Sequence, residues 1–546
     1  MPRTKVVIVG GGPSGLILAI ELGRRGVPCI LLEEDPASPT LPKANATTSR
    51  TMEHYRRLGF AAEIRALGLP EDYPQDIAYF TRYTRHELAR LHGRSRREAV
   101  AAREGADSRW PTPEPLHRVQ QMYIEAVLKK QAERWPGADV RFGWRALGLH
   151  EHGNSVQVEA QQLATGKLER IEADYAVGCD GPRSLVREAI GVRYEGQSRE
   201  ERDFMGGKML AVYIKAPAFY EVVRAPRAWQ YWAVNREQRA LMNAIDGKAL
   251  WVLHVQLPRG GQAPADYVRE SLVRATGRDF PFEVLGIAEW TAGYTLVAER
   301  FGAGRAFIAG DAAHLFTPTG GQGYNTSVDD VSNLGWKLAA VCEGWGGPRL
   351  LPSYQSERKL VAHRNTRFAR AMADSIGNID LPTDLEDENA AGDAARAVLG
   401  DRLYRHAATE FDIPGIHFGV FYAGSAIVAP DGAPAPSDDW HHYTPSATPG
   451  ARAPHVWLED GVSIFDRFGR DFTLLRFGGG TDAGAIESAA RKHGLPLAIV
   501  DIAGEEARDL YARDLVLVRP DHHIAWRGNA APENADSLIA RVSGHA

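Results

Sequence analysis

The chain has 546 residues, 44% of them hydrophobic and 24% charged, and a formal net charge of −5 at pH 7. That length exceeds one ordinary core and predicts two or three domains, while the weakly acidic balance gives no basic field and excludes nucleic acid as an expected partner. Three widely spaced cysteines, Cys29, Cys179 and Cys342, signal neither a disulfide framework nor a metal cluster and fit a reducing cytoplasm.

Arg3 and Lys5 ahead of the apolar run Val6 to Ile20 imitate a secretory signal, but glycines and a proline interrupt the run, Glu21 closes it and no A-x-A site follows. No stretch reaches the roughly 18 apolar residues of a membrane span. Lys5 to Val9 reads instead as a buried strand, Gly10-Gly11-Gly12-Pro13-Ser14-Gly15 as a turn, and Leu16 to Arg25 as a helix closed by Gly26. A second strand, Cys29 to Leu32, ends at Glu33, where a carboxylate would hold a ribose hydroxyl. The pattern Gly10-x-Gly12-x-x-Gly15 arises by chance in a chain this rich in glycine, so its weight comes from the strand before it and the helix after it.

Pro42 to Asn45 lead into a helix through Leu58, where Lys43 and Arg50 read either as ligands of phosphate and ribose or as solvated charges. From Gly68 to Pro115 the pattern loosens, including the charged run Arg94 to Arg103, and predicts surface excursions of a second lobe. A helix resumes at Gln121, with Ile124, Val127 and Leu128 on its inner face, and the Gln121 amide either faces a cofactor or caps the backbone. Val156 to Ala160 and Leu168 to Ile171 predict a hairpin, Tyr175 to Gly178 a strand, and Asp180-Gly181 a turn before a short helix. Between Arg193 and Arg300 the chain is strand-like, and alternation puts Trp229 and Tyr231 on one face and Gln230 and Trp232 on the other. Such a surface suits a planar ligand or an ordinary core.

Arg305 to Ala309 reads as the strand that delivers Asp311, and the glycines that follow open a helix stopped by Gly344. Val331, Leu334, Leu338 and Val341 form its apolar stripe, with Asp329, Asp330 and Lys337 elsewhere. Its first amides, near Gly323 to Thr326, point back at whatever Asp311 and Pro318 frame, and the helix dipole favours negative charge there, as on a reduced flavin. Asp374 to Ala397 is acidic and weakly patterned, the mark of a connector. Strand Phe472 to Phe477, helix Ala483 to Lys492, strand Leu495 to Ile502, strands Leu515 to Val518 and Ile524 to Arg527, and a helix from Glu533 predict a thioredoxin-like layer. Gly478-Gly479-Gly480-Thr481-Asp482 stands where its reactive cysteines would be, so thiol chemistry is excluded there.

Taken together, Gly10-x-Gly12-x-x-Gly15, Cys179-Asp180-Gly181-Pro182-Arg183-Ser184-Leu185-Val186-Arg187 and Gly310-Asp311-Ala312-Ala313-His314 resemble the three fingerprints of single-component flavoprotein aromatic hydroxylases, the para-hydroxybenzoate hydroxylase superfamily. Thr448 to His455 and Val516 to Asp521 look like the C-terminal region of its phenol, dichlorophenol and hydroxybiphenyl monooxygenase branch. The resemblance implies an α/β fold: a Rossmann-like FAD-binding domain from 1–70, 104–190 and 295–375, an interleaved β-sheet substrate domain from 71–103 and 191–294, a connector over 376–410, and a C-terminal thioredoxin-like domain over 411–546 without redox cysteines.

The same resemblance implies site roles. Gly10, Gly12, Pro13, Ser14 and Gly15 approach the FAD pyrophosphate, Glu33 holds the adenosine ribose, and Lys43, Arg118 and Gln121 lie along the cofactor. The Asp180 turn serves FAD and NAD(P)H, Asp311 binds the ribityl region, and Pro318, Gly323, Tyr324 and Asn325 border the isoalloxazine. NADPH or NADH reduces FAD, O2 adds at the flavin C4a carbon, and the hydroperoxide hydroxylates a phenolic ring, with Tyr231 and Asn45 as candidate substrate contacts beside Pro318. Lys43 stands where an arginine is usual, and Glu34 where a basic residue is common, which leaves the choice of nicotinamide cofactor open. The partner is then a small aromatic molecule, with no nucleic acid or membrane and a homodimer left open. An FAD-dependent epoxidase or reductase and a non-catalytic flavin sensor remain alternatives, whereas the W-x-W-x-I-P segment of flavin halogenases is absent.

Overall fold

The unbroken run Val6-Val7-Ile8-Val9 cannot alternate apolar and polar faces, and it forms the middle of a parallel sheet that is covered on both sides. In the computed structural model, which describes residues 1–102, 109–198, 202, 204–258, 265–458 and 461–546, strand Arg3–Val9 lies between Cys29–Glu33 and Leu168–Gly178, parallel to both. Ala138–Phe142 and Ala306–Ile308 extend the sheet on either side, again in parallel. Leu168–Gly178 is one strand where two are expected, because Glu172 and Ala173 continue the pairing with Val156 and Gln157.

A seven-stranded sheet runs in the order Glu283–Ala292, Gly207–Lys215, Leu250–Gln256, Arg239–Ala244, Gln230–Val234, Ile77–Phe80 and Glu87–Leu91. The loose, charged stretch after Gly68 therefore contributes two of its strands, and the charges of Glu87 and Arg90 pair with each other at the sheet edge. Arg103 and the expected boundary at 103/104 lie outside the described residues.

Residues 376–410, expected as a connector, contain most of helix Ala390–Phe411, capped by Asn389, which accepts the Gly392 amide at 2.9 Å. Its exposed acids Asp393 and Asp401 conceal an i, i+4, i+8 stripe of Leu399, Leu403 and Ala407, which is buried in the core of the seven-stranded sheet. In the C-terminal layer, Phe472–Phe477 pairs in parallel with Leu497–Ile502 and antiparallel with Leu515–Val518, and Ile524–Gly528 closes the edge. This is the expected thioredoxin-like order. Among the described residues no helix is long and apolar enough to cross a membrane.

Helix Gln322–Glu343 departs from its expected amphipathic pattern: Asp330 and Lys337 are 0% exposed. Helix Leu350–Gly377 and the C-terminal layer cover its polar face and pair its charges. Arg358 Nε donates to Asp330 Oδ1 at 2.8 Å and its Nη1 meets Asp329; Lys337 Nζ donates to Glu357 at 2.7 Å. Arg519 forks onto Glu357 at 2.7 and 2.8 Å and also holds Asp521. Arg452, from the same layer, grips Glu53 on helix Ser49–Leu58, which Arg50 also pairs at 3.1 Å. Removing one member leaves an uncompensated buried charge.

Two expectations follow. Arg519→Met, which strands Glu357 and Asp521, should cost about 3–5 kcal/mol, read as a lower urea midpoint; an unchanged midpoint would contradict the network's role. Burial alone would raise the Glu53 carboxyl, but Arg452 and Arg50 prevail and lower its pKa from 4.5 to about 2. A folded pKa below the unfolded one contributes stability fully above about pH 4.5 and loses it as pH falls toward 2. The acid side of a midpoint-versus-pH curve should therefore be shallower in Glu53→Gln.

Candidate active site

The parallel strands end together, and their carboxyl edge is where an α/β sheet opens a ligand crevice. Backbone bonds set the loops there: Gly10 N donates to the Leu32 carbonyl at 2.8 Å, Cys179 N to Val9 at 2.7 Å, and Ala309 N to Gly178 at 2.9 Å. This brings all three glycine-bearing motifs to one edge.

The glycines of the first loop divide into two kinds. A Cβ on Gly15 would lie 1.9 Å from the Gly10 carbonyl oxygen, so Gly15 is required by the close approach of helix to strand. A Cβ on Gly12 would meet nothing within 4 Å, so the space before it is open. Helix Pro13–Gly23 begins there with Pro13 in its first turn and no side-chain cap, leaving the Ser14 and Gly15 amides without intrahelical acceptors. Open space before uncapped amides fits a diphosphate. Glu33 accepts the Gly11 amide at 2.5 Å and the Asp35 amide at 2.9 Å, which fixes its carboxylate at the rim.

Asp311 reaches the same crevice from the other side, between Gly310, packed against Ser14 and Ser327, and buried Ala312. Its side chain is exposed to the crevice, yet the protein around the crevice desolvates it and raises its pKa, against the pull of His314 and Lys43. Lys43 is exposed and close enough to act on both Asp311 and Glu125. Asp180 accepts the Val186 amide at 3.2 Å, while its Oδ1 is buried without a partner.

The turn before helix Gln322–Glu343 bends through two left-handed residues, Gly320 (φ 69°) and Gly321 (φ 63°), a conformation that side chains resist. Pro318 is exposed, and Gly323 and Tyr324 are half-buried beside it. The helix has no side-chain cap, so its first amides are left without intrahelical acceptors.

Several expected cofactor contacts are committed elsewhere. Asn325 spends its whole amide inside the protein: Oδ1 accepts Thr48 N at 2.8 Å and Thr51 Oγ1 at 2.7 Å, and Nδ2 donates to the Ala46 and Gly321 carbonyls at 2.9 and 2.7 Å. It therefore clamps the segment carrying half-buried Asn45 onto the glycine turn. The Tyr324 hydroxyl is bonded to that of Tyr55, and Gln121 Nε2 donates to Glu125 at 2.6 Å. Arg50 belongs to the buried ion network.

Arg118 is moved altogether, from the cofactor to the seven-stranded sheet, where its guanidinium stacks 3.7 Å from the Trp229 ring. Tyr231 is corrected too: its hydroxyl accepts the Ala228 amide at 2.9 Å within a buried cluster of Phe80, Tyr83, Phe219 and Trp251. The alternation fails just before it, because Trp229 N and Gln230 N both donate to the Asp76 carbonyl, at 2.9 and 3.1 Å. That bulge turns Trp229 toward Arg118 and Phe411, away from Tyr231's neighbours.

A cavity of about 390 Å³ is walled by Ile77, Leu91, Trp110, Arg118 and Phe411, among others. Periodicity missed it because its wall is assembled from the 110–118 segment, the sheet and helix Ala390–Phe411. The only signal in the chain was the concentration of tryptophan around 229–232.

Residues 3–369 match the FAD binding domain family, and residues 446–546 match the aromatic-ring hydroxylase C-terminal family. The chain is 33% identical over 577 aligned residues to the FAD-dependent monooxygenase apdD of Emericella nidulans, covering 99% of this chain and 90% of that protein. The rebeccamycin biosynthetic enzyme RebC, solved with reduced flavin, is similar with a TM-score of 0.89 at 34% identity, covering 100% of this chain and 99% of that one. A ternary complex of aklavinone-11 hydroxylase with FAD and aklavinone has a TM-score of 0.81 at 27% identity, covering 100% and 99%. With a family model matched over residues 3–369 and relatives matched over nearly their full lengths, the chain belongs to the FAD-dependent aromatic-ring hydroxylases, flavoprotein monooxygenases.

Proposed function

We propose that the chain is an NAD(P)H- and O2-dependent monooxygenase that hydroxylates a phenolic ring of a multi-ring aromatic substrate. The observation that carries this reading is the tie between the glycine turn before Gln322, whose Gly320 amide donates to Glu410 at 2.7 Å, and the 390 Å³ cavity lined by the next residue, Phe411. FAD bound in the crevice would supply reductive activation of O2 and transfer of one oxygen atom to the ring.

The chain's own residues do the binding and orienting. Ser14 and Gly15 amides would meet the diphosphate, Glu33 a ribose hydroxyl, and Asp180 and Asp311 hydroxyls further along the cofactor. Amides of the first turn after Gly321 would face the edge of the flavin ring that gains negative charge on reduction. The apolar wall of Ile77, Leu91 and Phe411 would keep water from the substrate ring. Aklavinone in the similar hydroxylase complex supports a polycyclic rather than a single-ring substrate, as does a cavity within the range of drug-sized sites.

Because a Cβ at position 12 meets no protein atom within 4 Å, Gly12→Val should leave the thermal midpoint of flavin-free protein nearly unchanged while abolishing the yellow colour of the purified enzyme. Retained flavin would remove the loop from the cofactor site. Asp311→Ala should likewise lower flavin content. A screen of phenols, naphthols and hydroxyanthraquinones for stimulated NAD(P)H oxidation, with hydroxylated product separated from H2O2, tests the reaction; oxidation that no aromatic stimulates, or that yields only peroxide with every one, would refute it.

A further inference from the structure

Arg118 is 9% exposed, and its Nε is buried without a hydrogen-bond partner. Neither a carboxylate nor a carbonyl of any described residue pairs with its guanidinium, which rests on Trp229 at 3.7 Å and near Phe411 at 5.7 Å. Other buried arginines in this fold have polar partners: Arg358 has Asp329 and Asp330, Arg452 has Glu53, Arg519 has Glu357 and Asp521, and Arg187 has the Pro182 and Ala312 carbonyls. The acid nearest in effect to Arg118, Glu410, is engaged otherwise, accepting the Gly320 amide at 2.7 Å and lying 2.9 Å from His406. Burial pulls the Arg118 pKa down to about 9, against the influence of Glu410, as expected of a cation that lacks a counter-ion. A buried guanidinium without an anion is costly, and a fold retains one where a ligand completes it.

The cavity that Arg118 lines supplies the rest of a binding site. Its apolar wall of Ile77, Leu91, Trp110 and Phe411 suits a flat ring system, and Trp229 holds the guanidinium plane in place. Ser49, on the same wall, follows Thr48, which is bonded to Asn325 at the start of the Gln322–Glu343 helix. Glu410, adjacent to Phe411, is bonded to the glycine turn. Both ties set the cavity against the turn that would border the flavin.

We propose that Arg118, backed by Trp229, is the anchor for a carboxylate carried by a planar multi-ring aromatic substrate, and so decides which substrates enter. The guanidinium fork matches a carboxylate through paired donors, which a lysine or an amide-bearing substrate cannot reproduce. This assignment rests on the monooxygenase reading for the identity of the site.

The test uses the holoenzyme with two isosteric probes, anthracene-2-carboxylic acid and anthracene-2-carboxamide, and reads affinity from quenching of tryptophan fluorescence. The acid should bind about tenfold or more tightly than the amide, a preference lost in Arg118→Gln and partly kept in Arg118→Lys. Equal affinity for acid and amide, absence of binding by the acid, or a preference that persists in Arg118→Gln would overturn the assignment. The acid/amide comparison on the parent enzyme stands even where a variant fails to fold. Visible absorbance of the same samples separates the two claims: protein that takes no FAD refutes the monooxygenase reading, whereas yellow enzyme indifferent to the carboxylate refutes only the role of Arg118.

Discussion

The structure depends on a charged network that is closed to solvent. Helix Gln322–Glu343 carries Asp329, Asp330 and Lys337 into a space where an unpaired ion would be strongly unfavourable. Arg358 answers the two aspartates, Glu357 answers the lysine, and Arg519 and Asp521 carry the pairing into the C-terminal layer. Desolvation consumes most of the attraction in such pairs, so their contribution lies mainly in geometry: any other placement of these elements leaves a bare charge. His54, 2.8 Å from Asp329, and Arg452 on Glu53 extend the same constraint to helix Ser49–Leu58.

That constraint reaches the crevice through few atoms. Asp330 holds the Gly310 amide at 3.2 Å and lies 2.6 Å from His314 Nε2, so the residues on either side of Asp311 are tied to the network. Asn325, one turn along the helix, clamps the segment around Asn45 onto Gly321. The groups proposed to face the cofactor are mostly backbone amides and three carboxylates, Glu33, Asp180 and Asp311, in loops held in place by side chains that face inward. Flavin chemistry belongs to the cofactor, and the protein's part is to orient and to exclude water, which a rigid surround performs.

Much of the crevice was legible from the chain. An unbroken β-branched strand, a glycine turn and a helix in succession have few alternative arrangements, and three such junctions in order meet at one sheet edge. Legibility ended where local pattern and tertiary partner disagree. Asp329 and Lys337 look solvent-facing beside an apolar stripe, because periodicity describes one helix and not the elements that cover its other side. Asn325 and Tyr324, expected to border the isoalloxazine, have their side-chain polar atoms taken by Ala46, Thr48 and Tyr55, residues far away in the chain. A single bulge at Trp229 and Gln230 was enough to reverse the expected face, since a strand's side chains alternate with a period of two.

The sequence by itself determined the fold class, the nucleotide loop, the position of Asp311 at a strand end and the absence of thiol chemistry in the last layer. These depend on contacts within about thirty residues or on residue type alone. Only the tertiary structure decided that Ala390–Phe411 is a packed helix rather than a connector, that Tyr231 is core, and that Arg118 looks into a substrate-sized cavity. Each of those outcomes is a question of which distant surface comes to lie opposite, and a surface assembled from three separate segments has no linear signature.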